Sequence, residues 1–379
     1  MSRVGQSVVL AVTLGLLLQS SAGIAFGQVS PSTKNRSSEE RTLQDAAERD
    51  PRNIHFASSL GEYYLHKGRW RESVRWLTTA SALSAGNESI GYDLAFACMK
   101  AGELERAKRQ VEQMLAQKDS ARLHGLLGAV EDRRANYVDA AREYHRAAEI
   151  DPTESNIFDL ATFLLRHKKY VGSLNDSIKF FRYGVAQFPR SSKMMVGLGV
   201  ALYAANEYDE AVRVLCAAVD MDPTDPRPIQ FLGRARRVSP ELSEEVDRRL
   251  QDFAERYPEN AATNYFYALS LWERGGGDEG RNLEKIERLL RKAAILSPEW
   301  YEPHYQLGVL CEAEKRYSDA IREMQNAVKI DPDFFPAHFQ LAILYNRTGD
   351  KPKAAAEALA VKRLKEKDNK DEADHDVTR

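Results

Sequence analysis

From Leu198 to Pro223 the chain reads LGVALYAANEYDEAVRVLCAAVDMDP. Leu198, Ala201 and Leu202 form one apolar run, and Ala211, Val212, Leu215, Ala218 and Val219 form a second. Spacings of three and four put each run on one face of a helix. The polar stretch Asn206-Glu207 between them predicts a turn, so the segment reads as two helices packed back to back. The stretch LGVLCEAEKRYSDAIREMQNAVKIDP, Leu307 to Pro332, has the same layout. Both open Leu-Gly, close Asp-Pro and carry Tyr-x-x-Ala followed by Val or Ile.

The small residue of this Leu-small anchor recurs at Gly61, Ala95, Gly128, Ala161, Gly199, Gly233, Ala268, Gly308 and Ala342. Successive steps are 34, 33, 33, 38, 34, 35, 40 and 34, and a period near 34 with paired helical patterns predicts stacked helix–turn–helix units. The long steps mark insertions, near Val171 to Leu174 and near Arg274 to Arg281. Twelve residues after the anchor comes a second small residue, at Ala107, Ala140, Ala211, Ala320 and Ala354, where the second helix crosses the first. Tyr144, Leu215 and Met324 follow four residues later on the same face and fill the remaining space. Ala147, Ala218, Ala293 and Ala327 leave room for the next unit, and Pro152, Pro189, Pro223, Pro258, Pro298 and Pro332 separate successive units.

These residues make the chain resemble the tetratricopeptide repeat (TPR) family. The resemblance covers about Ile54 to Glu366 and implies an all-α, right-handed α-solenoid of about nine TPR-like helix–turn–helix repeats, at 54–87, 88–120, 121–153, 154–191, 192–225, 226–260, 261–300, 301–334 and 335–366. A half-repeat helix is expected at 42–53 and a disordered charged tail at 367–379. Where the family carries an early Trp, this chain has His124, His304 and His338. The sixth unit keeps Leu232-Gly233 but lacks the Ala crossing, which predicts local distortion.

Composition changes the picture at the N-terminus. Arg3 precedes the apolar run Val8 to Leu18, and Ala25 and Gly27 stand at −3 and −1 before Gln28. That pattern reads as a signal peptide over 1–27, followed by a flexible segment over 28–41 and export of the remainder to a periplasmic or secreted location. Membrane contact is expected only if the N-terminal segment stays uncleaved. Cys98, Cys216 and Cys311 are too far apart to be a disulfide framework and read as buried helix residues. A formal charge of −2 with no long basic run excludes a nucleic-acid partner held by phosphate neutralisation.

The chain shows no His-Glu-x-x-His, Cys-x-x-Cys or Gly-x-Ser-x-Gly, and its glycine run at 275–280 lacks the Lys-Ser/Thr of a phosphate loop. No catalytic residue, metal or cofactor is expected, and the histidines read as packing or groove residues. The resemblance instead implies a concave groove lined by the first helices, taking a protein or peptide partner as an extended segment or helix. The usual groove positions fall on Tyr92, Phe96, Phe158, Tyr203, Arg227, Arg234, Arg237, Tyr265, Trp272, Tyr305 and Phe339, with Arg122 and Lys193 between them. Aromatics give buried area at low entropy cost and Arg gives directional contacts, a mixture suited to a segment with apolar anchors and some acids. The sixth position, including Asp93 and Asp159, shows no Asn ladder, which disfavours a carboxylate clamp. The reading is a non-enzymatic extracytoplasmic scaffold within an envelope or secretion assembly; the alternative is a holding factor for incompletely folded exported proteins.

Overall fold

The computed structural model describes residues 38–377 apart from 85, 173, 223–224, 226, 236–239 and 275–278. The signal-peptide segment 1–27 therefore lies outside the described residues, as does Arg237. Every regular element described is helical, and the chain divides into two compact units, Met1–Asn206 and Glu207–Arg379.

In the first unit α1 (Ser38–Arg49) precedes four helical hairpins: α2 (Ile54–His66) with α3 (Trp70–Leu83), α4 (Glu88–Ala101) with α5 (Leu104–Leu115), α6 (Ala121–Arg133) with α7 (Tyr137–Ile150), and α8 (Glu154–Arg166) with α9 (Leu174–Gln187). The unit closes with α10 (Ser192–Ala204). Consecutive helices pack on each other, and each first helix also touches the next first helix. The result is an all-α solenoid with the first helices side by side. Side-chain caps set where these helices begin: Asn53, Asn87, Thr153 and Ser191 each accept a hydrogen bond from a backbone N–H in the following turn. Close approach then sets the packing. A Cβ on Gly61 would stand 2.7 Å from Leu77 Cγ, and one on Gly128 would stand 3.1 Å from Tyr144 Cγ.

The second unit holds α11 (Tyr208–Met221), α12 (Arg227–Ala235), α13 (Ser243–Arg256), α14 (Ala261–Glu273), α15 (Glu279–Leu296), α16 (Tyr301–Ala313), α17 (Tyr317–Ile330), α18 (Phe335–Thr348) and α19 (Lys351–Val377). Distortion centres on α12, the shortest of these helices, which packs more on α14 than on its sequence neighbour α13. Without the Ala crossing, nothing small on α13 admits α12, and Gly233 instead approaches the Phe266 ring on α14.

Helix α1 starts at Ser38, within 28–41, and α19 continues to Val377, within 367–379. After Pro352 neither Gly nor Pro interrupts α19, and Ala, Lys, Leu and Glu favour helix. All three thiols are free and buried. No described helix is long and apolar enough to cross a membrane.

Candidate partner-binding surface

The first-helix face of the first unit carries one arrangement twice. On α4, Tyr92 is half-buried and the Arg122 guanidinium from α6 lies 3.6 Å from its ring centre. On α8, Phe158 is buried and the Lys193 ammonium from α10 lies 3.9 Å from its ring centre. Both rings occupy the fifth position of their unit, and both cations the second position of the next.

A carboxylate follows each ring. Desolvation pushes the Asp93 carboxyl above its usual range, Glu62 adds to this, and Arg122 and His66 oppose it. Asp159 is exposed at its surface, yet its carboxyl is also pushed up by desolvation, against Lys193 and Arg166. Phe96 on α4 is half-buried, edge-on to Trp70 at 6.3 Å, with Lys100 over both rings. Tyr203 is half-buried on α10.

In the second unit the sequence-picked residues divide. Arg227 is tied to buried Asp225 by hydrogen bonds of 2.7 to 3.0 Å, so its guanidinium serves the loop before α12. Arg234 is half-buried and opposes the desolvation that raises the Glu302 carboxyl; Glu302 Oε2 is buried without a hydrogen-bond partner. Tyr265 is 7% exposed and packs against Trp300 at 4.6 Å and Phe266 at 5.0 Å. Tyr305 is half-buried with its edge to Phe334 at 5.1 Å, and Trp272 is half-buried near the end of α14. Phe339 is 48% exposed and stacks on Phe335. Trp300, Phe334 and Phe335, at the unit boundaries, fall outside the standard groove positions, and so the sequence reading missed them.

The early histidines tie the two helices of their hairpins together. His124 Nδ1 lies 2.5 Å from Glu143 Oε2, His304 Nδ1 2.8 Å from Glu323 Oε2, and His338 Nδ1 2.6 Å from Glu357 Oε2, each partner 19 residues on. His338 Nε2 lies 3.0 Å from the Pro332 carbonyl, where Asn264 in the same register donates to the Pro258 carbonyl at 2.7 Å. These side chains replace apolar packing with internal hydrogen bonds. Burial pushes the thiols of Cys98 and Cys216 up to about 11, which leaves them protonated and unreactive at neutral pH. Among the described residues no three His, Cys, Asp or Glu are grouped to hold a metal ion.

Comparison with known proteins adds the family. A model described as Tetratricopeptide repeat matches residues 64–130, and a second with the same description matches 165–226 and 305–369. No curated protein sequence matches. Among solved structures, yeast Tom70 is similar at 14% identity and a TM-score of 0.48, over 86% of this chain and 88% of that one. MamA is similar at 18% identity and 0.37, over 46% and 97%, and YrrB, titled a TPR protein with an unusual peptide-binding site, at 16% and 0.37, over 50% and 97%.

Proposed function

Since this chain belongs to the tetratricopeptide repeat family, we propose that it is a non-enzymatic scaffold that holds a protein or peptide partner on its first-helix faces. The observation behind this is the doubled set of ring, carboxylate and cation at Tyr92, Asp93 and Arg122 and at Phe158, Asp159 and Lys193. A ring covered by a cation from the next first helix, with a carboxylate beside it, presents both apolar and charged contacts to a partner. A second copy in the same register suits a surface that reads a partner at more than one point. Exposed Phe339, stacked on half-buried Phe335, adds an aromatic surface on the second unit. The extracytoplasmic setting is part of the proposal and is supported by the N-terminal sequence pattern.

The test is capture by residues 28–379 from the extracytoplasmic fraction of the native host, beside an Arg122→Glu/Lys193→Glu variant that melts like the parent. The expected result is one or a few native partners at saturable stoichiometry, depleted at least about tenfold by the variant, as for loss of a binding hot spot. Equal capture by both chains removes this face from the reading. A broad set of unfolded clients would favour the holding factor instead.

A further inference from the structure

We propose that the cavity between α7 and α9 is a second docking site, one that receives a single bulky apolar side chain from an acidic segment of a partner protein. This site lies among second-helix side chains and does not depend on the reading of the first-helix face.

The lengthened step of 38 residues has a structural result. Tyr170, Val171 and Gly172, which follow α8, line a cavity of about 670 Å³. Ligand-receiving pockets commonly span about 300–1,000 Å³ with apolar walls and a few polar groups at the rim. Here α7 supplies Val138, Ala141 and His145, spaced three and four apart on one face. Phe180 of α9 closes the back, 5.3 Å from the His145 ring and edge-on to it, and buried Leu164 forms the floor.

Two large side chains stand exposed at the mouth, Val138 at 65% and Tyr170 at 64%. They carry the apolar wall of the cavity out onto the surface, as a contiguous apolar patch at an interaction site does. The lip also packs on neighbouring side chains. Tyr170 packs on Tyr137 at 4.7 Å, Tyr137 stacks on His167 at 4.2 Å, and His167 Nε2 lies 2.8 Å from Asp132 Oδ1. Gly172 takes a φ of +102°, which an L side chain rarely adopts, and a Cβ there would reach 3.4 Å from Leu164.

Charge selects the partner. From Arg166 to Arg182 the chain has five Lys or Arg and a single acid, Asp176; Arg166 is ion-paired with Asp132 and Lys179 with Asp176, so the excess of positive charge rests on the others. Lys179 sits on the rim, largely exposed and 3.3 Å from Asp176. An acidic segment complements this field and a basic one is repelled by it.

Panning a random displayed-peptide library on the full chain tests the site, with anisotropy titration of each enriched peptide. The expected peptides place Asp or Glu around one Trp, Phe or Leu. Their affinity should fall at least about tenfold for Val138→Asp, for Ala141→Met, which fills the cavity, and for Lys179→Glu, as loss of a central contact does. Leu359→Asp, an apolar-to-acid change elsewhere on the surface, should leave it unchanged. Val138 is mostly exposed, so that variant reports on the site even if Ala141→Met fails to fold. Enriched peptides that are neutral or basic, binding indifferent to Val138 and Lys179, or no enrichment would each overturn the proposal. So would dodecanoate binding that Val138→Asp abolishes while no peptide binds, because the cavity would then belong to an anionic amphiphile.

Discussion

Lys315 has a backbone φ of +61°, in the left-handed region that disfavours any residue with a Cβ. It sits just past the end of α16, where Gly68, Gly102 and Gly349 stand in other hairpins and where Ala135 and Asn206 share the strain. Lys315→Gly should stabilise the chain by about 0.5–1 kcal/mol, the left-handed penalty removed less the extra freedom of unfolded glycine. Urea unfolding checks this, and a lower midpoint would mean that the lysine side chain supports the turn. The position was not legible in the sequence because Ala, Asn and Lys at three of its occurrences hide the glycine pattern. Register was legible, but exposure was not. Tyr92, Phe158, Tyr265, Tyr305 and Phe339 all hold the fifth position of a first helix, yet their burial differs widely. What covers each ring comes from the start of the next first helix or the residue just before it: Arg122, Lys193, Trp300 and Phe334 in turn. Among the described residues no such group covers Phe339, which is 48% exposed. The histidine register was equally visible, whereas the glutamates 19 residues on are too common to stand out as partners.

At the scale of the element, the anchor residue decides how closely two helices pack. In the hairpin of α2 and α3, Ser73 Oγ donates to the Gly61 carbonyl at 2.8 Å, and the same tie joins Ser177 to the Ala161 carbonyl between α9 and α8. A Cβ on Gly61 would meet Leu77 Cγ at 2.7 Å and the Leu77 backbone nitrogen at 3.2 Å, and that nitrogen cannot swing aside. Overpacking costs about 1–3 kcal/mol, while replacing a helical Gly by Ala returns at most about 1 kcal/mol, so Gly61→Ala should destabilise. Gly125 in α6 has nothing within 4 Å of a built Cβ, and Gly125→Ala should be neutral or stabilising. Thermal melts of the two variants separate steric approach from helix propensity; a stabilised Gly61→Ala would refute the close-approach account. This part of the fold was readable from spacing because the anchor demands small residues. The sixth unit was readable only as a missing crossing, since the alternative partner for α12 lies on a helix two further along the chain.

Across the whole molecule, stability rests on carboxylates that pull in opposite directions with pH. In the first unit, burial would raise the Glu131 carboxyl, but hydrogen bonds from Lys108, Asn136 and Arg134 outweigh it and hold the group below its ordinary 4.5. In the second, burial of Glu287 is outweighed by Arg291 and Arg316, and burial of Glu323 by His304 and Arg291, so both are also lowered. A lowered carboxylate contributes stability that is present above its unfolded pKa and lost as pH falls through the folded value. Asp93, Asp159 and Glu302 are raised and obey the opposite sign: their contribution is present below the unfolded pKa and lost as pH rises through the folded one. Acidification from about pH 7 should therefore first relieve these three carboxylates and then, below about 4.5, strip the three ion-paired ones. The melting midpoint should hold or rise slightly before it collapses. An Asp93→Asn/Asp159→Asn/Glu302→Gln variant should melt higher than the parent at neutral pH, lose the upper limb and keep the acid collapse. If instead it melts lower at neutral pH, those charges stabilise the fold, and the account of the upper limb fails.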